Sequence, residues 1–141
     1  MMKGQISFEL LVTVGVILAF TIPVLFLMLS MTSVGYEDTA KAQADAAART
    51  LADTINSVYS QGPGAQRSLL LNVPATTENI AVINSEVVVK IRTGKGSFEA
   101  AAPTIGKMSP DLTKSNLGKK NGLFKIIVHT NDQGEVELSA S

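Results

Sequence analysis

The residues whose types and spacing could take part in chemistry lie at the N terminus. Lys3 and Gly4 precede a polar stretch that carries Gln5, Ser7 and Glu9, and a segment without any charge follows. In an ordinary secretory signal the cleavage site follows the apolar stretch, which is then removed. Here the candidate processing site is the bond between Gly4 and Gln5, so the apolar segment would remain in the mature chain. A carboxylate beside a membrane segment is costly, which indicates a function for Glu9.

The run Lys3-Gly4-Gln5-Ile6-Ser7-Phe8-Glu9 resembles the class III signal peptide of euryarchaeal type IV pilin-like proteins. The signature of that family is Gln-x-Ser-x-Glu between a basic leader ending in Gly and an apolar helix, and Gln5, Ser7 and Glu9 match it. Gln5 stands where bacterial pilins carry a methylated Phe. The resemblance implies that residues 1–4 are a leader removed by a prepilin peptidase. It also implies that a membrane platform with an assembly ATPase joins identical subunits into an extracellular filament.

Glu9 is the candidate assembly and register residue. A carboxylate among packed apolar helices costs several kcal/mol unless it has a partner. The N-terminal amine of a neighbouring subunit, freed at Gln5, is the expected partner, and the pair would favour one axial register. If Gln5 cyclises and loses its amine, Glu9 needs other donors, such as Ser7 of a neighbour. Recognition by the peptidase or the platform, and a position among lipid headgroups, are the alternatives for Glu9.

The segment Leu10–Met31 predicts a membrane-spanning helix that later forms the filament core. It contains 22 uncharged residues, and at about 1.5 Å per residue it spans roughly 33 Å, close to the apolar thickness of a bilayer. Lys3 on its short N-terminal side favours an N-in, C-out orientation in the cytoplasmic membrane. Pro23 predicts a kink or unwound turn that would help helices pack, although Pro is also common in membrane helices generally.

The helix is expected to occupy residues 5–61, with an amphipathic second part over residues 32–60 in which Gly35 is the weakest position. Apolar residues in this part recur at spacings of three and four, which predicts one buried face: Ala44, Ala48, Leu51, Ile55 and Val58. The breakers Gln61-Gly62-Pro63-Gly64 end the helix. We expect the buried face to cover a sheet of the domain that follows.

Residues 65–141 predict a small antiparallel β-sandwich-like head domain. Six short segments with period-two patterning are separated by turn residues: Ser68–Val73, Asn79–Asn84, Val87–Arg92, Ser97–Ala102, Leu123–Thr130 and Glu135–Ser139. The last two form the clearest hairpin. The chain is therefore predicted to be an α+β protein, with one long helix followed by this extracellular head.

No residues in the head form a convincing catalytic, cofactor or metal set. His129 is the only histidine and the chain has no cysteine, so thiolate and multi-histidine metal sites are excluded. Asp132 and Glu135 flank a turn but are weak as a calcium site. Gly94-Lys95-Gly96 lacks the full pattern of a phosphate loop. We expect no enzyme activity and no cofactor.

The overall charge also argues against a nucleic-acid partner. Twelve basic and twelve acidic side chains balance, so no global positive field attracts a polyanion. The exception is a basic loop with Lys114, Lys119 and Lys120, which would more readily be a solvated loop than a DNA contact.

The leading interpretation is a structural pilin subunit of a surface-adhesion filament. One alternative is a minor pilin or adhesin whose head binds a surface, a sugar or DNA. A second is a membrane-anchored extracellular β module with an uncut leader. An archaellin is less consistent with the Gln-x-Ser-x-Glu pattern.

The processing hypothesis predicts the N terminus of the mature chain. N-terminal sequencing and mass spectrometry of membrane or shed material should find Gln5, or its blocked pyroglutamate form, as the first residue. A chain that still begins at Met1 or Met2 would refute cleavage at Gly4–Gln5.

Overall fold

The computed structural model describes residues 2–106, 108, 117 and 120–140. The chain divides into two compact units, one ending at Tyr36 and the other beginning at Glu37. The described residues form one long helix and six strands, which confirms the predicted α+β class: α1 Met2–Gln61, β1 Gln66–Val73, β2 Thr77–Ile83, β3 Glu86–Thr93, β4 Gly96–Pro103, β5 Gly122–Thr130 and β6 Val136–Ala140.

Helix α1 ends where the sequence contains its breakers. The Gly62 N–H donates to the Tyr59 carbonyl at 3.2 Å, and Gly62 has a φ of 88°, a left-handed conformation that glycine adopts without steric cost. Pro23 and Gly35 both lie inside α1 and neither interrupts it. A bend of the helix axis at Pro23 stays a prediction.

The six strands form two three-stranded antiparallel sheets. Sheet A has the order β1-β5-β6 and sheet B the order β2-β3-β4. The predicted final hairpin is confirmed, since β5 pairs with β6 in the register Thr130 to Val136 and His129 to Glu137. The sequence did not predict that β1 pairs with β5, because their partners, such as Leu71 and Phe124, are far apart in the chain.

Helix α1 and both sheets share one hydrophobic core. The predicted apolar face of the amphipathic part is confirmed, because Ala44, Ala48, Leu51, Ile55 and Val58 are fully buried. The central strands supply the buried residues that meet this face: Val87, Val89 and Ile91 from β3, and Ile126 and Val128 from β5. The small alanine side chains of this face let the helix come close to the strands, and the larger branched side chains fill the remaining space. The helix therefore packs tightly on the strands.

Hydrogen bonds also join this part of α1 to the strands and loops of the head. The Asn56 Oδ1 accepts from the Ile105 N–H at 2.9 Å. The Thr130 hydroxyl, which is buried, donates to the Val58 carbonyl at 3.3 Å. At the start of the second unit the Glu37 Oε1 accepts from the Gly94 N–H at 2.8 Å. Packing and polar contacts therefore make residues 37–61 part of the head.

Part of the loop between β4 and β5 lies outside the described residues. This applies to Lys114 and Lys119 of the predicted basic loop. The third lysine of that loop, Lys120, is described, and its Nζ lies 5.7 Å from the centroid of the Phe124 ring.

Truncation of the helix side of the core should destabilise the head. Leu51→Ala is expected to lower the free energy of unfolding by about 2–5 kcal/mol, because it leaves a cavity between α1 and the sheets. Asp53→Ala, on the exposed side of the same turn, should change it by less than about 0.5 kcal/mol. Urea unfolding of the full chain in detergent, followed by circular dichroism, measures both. Equal effects of the two changes would show that α1 is not part of the head's core.

Candidate functional site

The first part of α1 presents an exposed apolar surface. Twenty large apolar side chains between Ile6 and Tyr36 are exposed, from 46% at Val14 to 74% at Phe20. Fully burying such a side chain contributes about 1.5–3 kcal/mol, so covering this surface is favourable by tens of kcal/mol. By length and composition the helix is able to cross a membrane, which makes it compatible with insertion.

The hydroxyl groups of Thr13, Thr21 and Ser30 in this segment are satisfied within the helix. Thr13 donates to the Glu9 carbonyl at 2.8 Å, Thr21 to the Ile17 carbonyl at 2.7 Å, and Ser30 to the Phe26 carbonyl at 3.0 Å. A hydroxyl bonded to the carbonyl of the preceding turn presents little unsatisfied polarity to an apolar medium. Among these residues the hydroxyls do not oppose burial in lipid or among other helices.

Glu9 is the exception in this segment. It is the only charged residue between Lys3 and Glu37, it is exposed, and within the described residues its carboxylate has no ion pair or side-chain hydrogen bond. An unpartnered carboxylate that enters an apolar environment carries a large desolvation cost. Within the described residues, no group offsets this cost.

The remaining predicted N-terminal site residues lie on the same first turns of α1. Lys3, Gly4, Gln5 and Ser7 are helical and exposed. Gln5 and Glu9 are four residues apart, a spacing that places them on one face of the helix, whereas Ser7 lies on a different face. Pro23 is separated from this group by most of the apolar span and does not join it.

The exposed segment ends at residues that sequence patterns did not single out. Glu37 is the first charged residue after the apolar span, and its carboxylate holds the β3–β4 turn through Gly94. A Cβ added at Gly94 would lie 2.5 Å from the Glu37 Oε1, so any larger residue there would require the Glu37 carboxylate to move. One turn after Glu37 along α1, the Lys41 Nζ lies 5.8 Å from the centroid of the Phe98 ring of β4. The position of Glu37 was visible in the sequence, but its distant partner was not.

The candidate residues of the head do not assemble into a reactive site. The His129 Nε2 lies 2.9 Å from the Glu137 Oε2 of the paired strand, and the Asn131 amide donates to the other oxygen of that carboxylate at 3.2 Å. The Asn131 Oδ1 accepts the backbone N–H groups of Gln133 and Glu135, which organises the β5–β6 turn. Across the described part of the chain, no group of three potential metal ligands occurs.

Gly94-Lys95-Gly96 is a hairpin turn, in which Thr93 pairs with Gly96. It therefore joins two strands, as the sequence indicated, and the Gly94 N–H that a phosphate would need is taken by Glu37.

Comparison of the chain with protein-family models, with curated proteins and with solved structures finds no match. A functional assignment therefore depends on the physical properties of α1 and the head.

Charges placed in the middle of the exposed segment should prevent membrane insertion. Leu18→Asp combined with Leu25→Asp is expected to move the full chain out of the carbonate-washed membrane fraction, because each carboxylate at the bilayer centre costs about 2.5–3.5 kcal/mol. Gln43→Asp combined with Ser60→Asp adds the same charge outside the apolar span and should leave fractionation unchanged. If the Leu18 and Leu25 double variant stays in washed membranes, the segment does not cross the bilayer.

Proposed function

We propose that this chain is a structural subunit of a type IV pilus-like extracellular filament that serves surface adhesion. A prepilin peptidase cuts between Gly4 and Gln5, and the apolar part of α1 holds the chain in the cytoplasmic membrane, N-in and C-out, before assembly. A membrane platform and its ATPase then transfer the subunit into the filament, where its helix packs against those of identical subunits. The observation that carries the proposal is the exposed apolar part of α1 with one carboxylate, Glu9, that has no partner among the described residues.

The same helical surface suits both environments that this function requires. Lipid covers the large apolar side chains before assembly, and neighbouring helices cover them afterwards. Because the hydroxyls of Thr13, Thr21 and Ser30 are bonded within the helix, transfer from lipid to a helical bundle breaks none of these bonds. No catalytic step by this chain is needed, because the machinery supplies the energy.

Glu9 is the residue that distinguishes correct packing from simple apolar association. Dispersion and the hydrophobic effect tolerate many axial offsets between two apolar helices. A carboxylate opposite the N-terminal amine of a neighbour is stabilised at one offset and left unpaired at others. If Gln5 is cyclised, the Ser7 hydroxyl of a neighbour is the donor that replaces the amine. Either partner makes Glu9 the register residue.

A membrane-anchored extracellular β module is the second candidate, because a bilayer alone would also cover the exposed helix. That candidate needs neither cleavage at Gly4 nor a partner for Glu9. The two are separated by the N terminus of the mature chain and by the consequence of removing Glu9.

Removal of the Glu9 carboxylate should impair assembly without preventing processing. In a host with the assembly machinery, Glu9→Ala is expected to yield a chain cut at Gln5 but few or no filaments by electron microscopy of shed material, because no subunit offset is favoured. Glu9→Gln keeps the side-chain size and separates loss of charge from loss of volume.

Asp38→Ala is the matched control, since it removes an exposed carboxylate beyond the apolar span and should leave filament yield unchanged. Normal filaments from Glu9→Ala would contradict the register role. A chain anchored in the membrane but uncut, with no filaments from the unaltered protein, would favour the anchored module.

A further inference from the structure

The two sheets of the head each turn one face away from the shared core, and these outward faces differ in shape and charge. We call the outward side of sheet A, formed by Ser68, Leu70, Asn72, Leu123, Lys125 and Ile127, face A. We call the outward side of sheet B around β2 and β3, formed by Asn79, Ala81, Ile83, Glu86, Val88 and Lys90, face B. The alternation of buried and exposed residues along β1, β3 and β5 defines these sides. In β2, where Ala81 is itself buried, the register with β3 places Asn79, Ala81 and Ile83 on the outward side.

Face A carries an exposed apolar pair. Leu70 and Leu123 are 65% and 67% exposed. The register of β1 and β5 pairs Leu70 with Lys125, and Asn72 with Leu123. The two leucines are therefore diagonal neighbours on one side of the sheet, within reach of each other. An adjacent pair of mostly exposed leucines in a folded head is a candidate contact surface.

Face B carries a shallow depression of about 380 Å³. Apolar side chains of Ala81, Ile83 and Val88 line it, with Glu86 and the Lys90–Glu99 pair beside them. Ile83 is 48% exposed. A concave surface with an apolar floor and a polar rim is suited to receive a protruding aliphatic pair.

The unpaired charges of the two faces are opposite. Lys125 on face A has no ion pair within the described residues, and neither has Glu86 on face B. The other charges of face B are compensated, since the Lys90 Nζ lies 4.0 Å from the Glu99 Oε1. Face A therefore has one uncompensated positive charge beside its leucines, and face B one uncompensated negative charge beside its depression.

We propose that face A of one copy of this chain docks on face B of a second copy, with Leu70 and Leu123 in the depression and Lys125 opposite Glu86. A symmetric contact between two copies of face A would place lysine near lysine, and one between two copies of face B would place glutamate near glutamate, so charge favours the unlike pairing. Because the two faces are different surfaces, each head can bind a neighbour on both, and the contact can repeat. This inference deepens the proposed function, on which it rests, by supplying a contact between heads along the filament.

Site-directed cross-linking of the full chain tests this contact directly, because the natural sequence has no cysteine. A chain with both Leu123→Cys and Ile83→Cys, treated on cells with a short bismaleimide, should give a ladder of covalent oligomers. Each single variant should give none, and a mixture of the two single variants should give dimers only. Leu123→Cys with Gln133→Cys, which moves the second cysteine to the exposed β5–β6 turn, is the matched control and should give no ladder.

Charge exchange provides an independent arm. Lys125→Glu should lower cross-linking in the Leu123 and Ile83 cysteine background by about tenfold, because it places like charges together. Adding Glu86→Lys to that variant should restore the ladder. Lys95→Glu, a charge reversal in the β3–β4 turn away from both faces, should leave it unchanged.

Several results would overturn the contact. Dimers from Leu123→Cys alone would indicate symmetric pairing of face A. Cross-links only to a different protein would indicate another occupant. Filaments of normal appearance without any ladder would reject the head contact and leave the proposed function standing.

A ladder in membranes that contain only uncut chain would support the head contact and reject the filament function.

Discussion

The packing of one helical stripe on two separate sheets is the interaction on which the head depends. Ala44, Ala48, Leu51, Ile55 and Val58 form a continuous buried face, and the inward residues of both sheets join the same core. Among the described residues, neither three-stranded sheet has another apolar layer of comparable extent, and a domain of this size without disulfides is only marginally stable. The C-terminal part of α1 is therefore a structural part of the head, and the head begins at Glu37 rather than after the helix.

This arrangement divides α1 into two parts whose apolar side chains are covered in different ways. From Glu37 onward, the apolar residues of α1 are covered within the chain. Up to Tyr36 the described large apolar side chains are exposed, and they require a cover such as another phase or another molecule. A bilayer and a bundle of identical helices both meet this requirement, which is why membrane anchoring and filament assembly are compatible proposals for a single segment. The two proposals differ at Glu9, because the filament proposal gives its carboxylate a specific partner and a bilayer offers none.

The polar groups of the head have structural tasks that explain the lack of a reactive constellation among its described residues. Glu37 holds a hairpin turn, and Asn56 accepts from the chain after β4. Glu137 accepts from Asn131 and lies beside the His129 ring. Across the described residues, no buried side-chain nitrogen or oxygen lacks a partner. Groups satisfied in this way stabilise one conformation. The described residues of the head also expose large apolar side chains, such as Leu70 and Leu123, and these favour contacts between molecules.

The sequence by itself determined the elements of this protein, because hydrophobic periodicity and breaker residues act locally. The helix end at Gln61, the buried stripe of α1 and the strands up to the β5–β6 hairpin all follow from spacing and turn residues within short windows. Only the tertiary structure decided how they combine. It pairs β1 with β5 and forms the hydrogen bond between Glu37 and Gly94, and both contacts join residues far apart in the chain. It also brings together the residues of the two outward faces around Leu70 and Ile83. Such contacts depend on which surfaces can be buried together, and no local pattern encodes that choice.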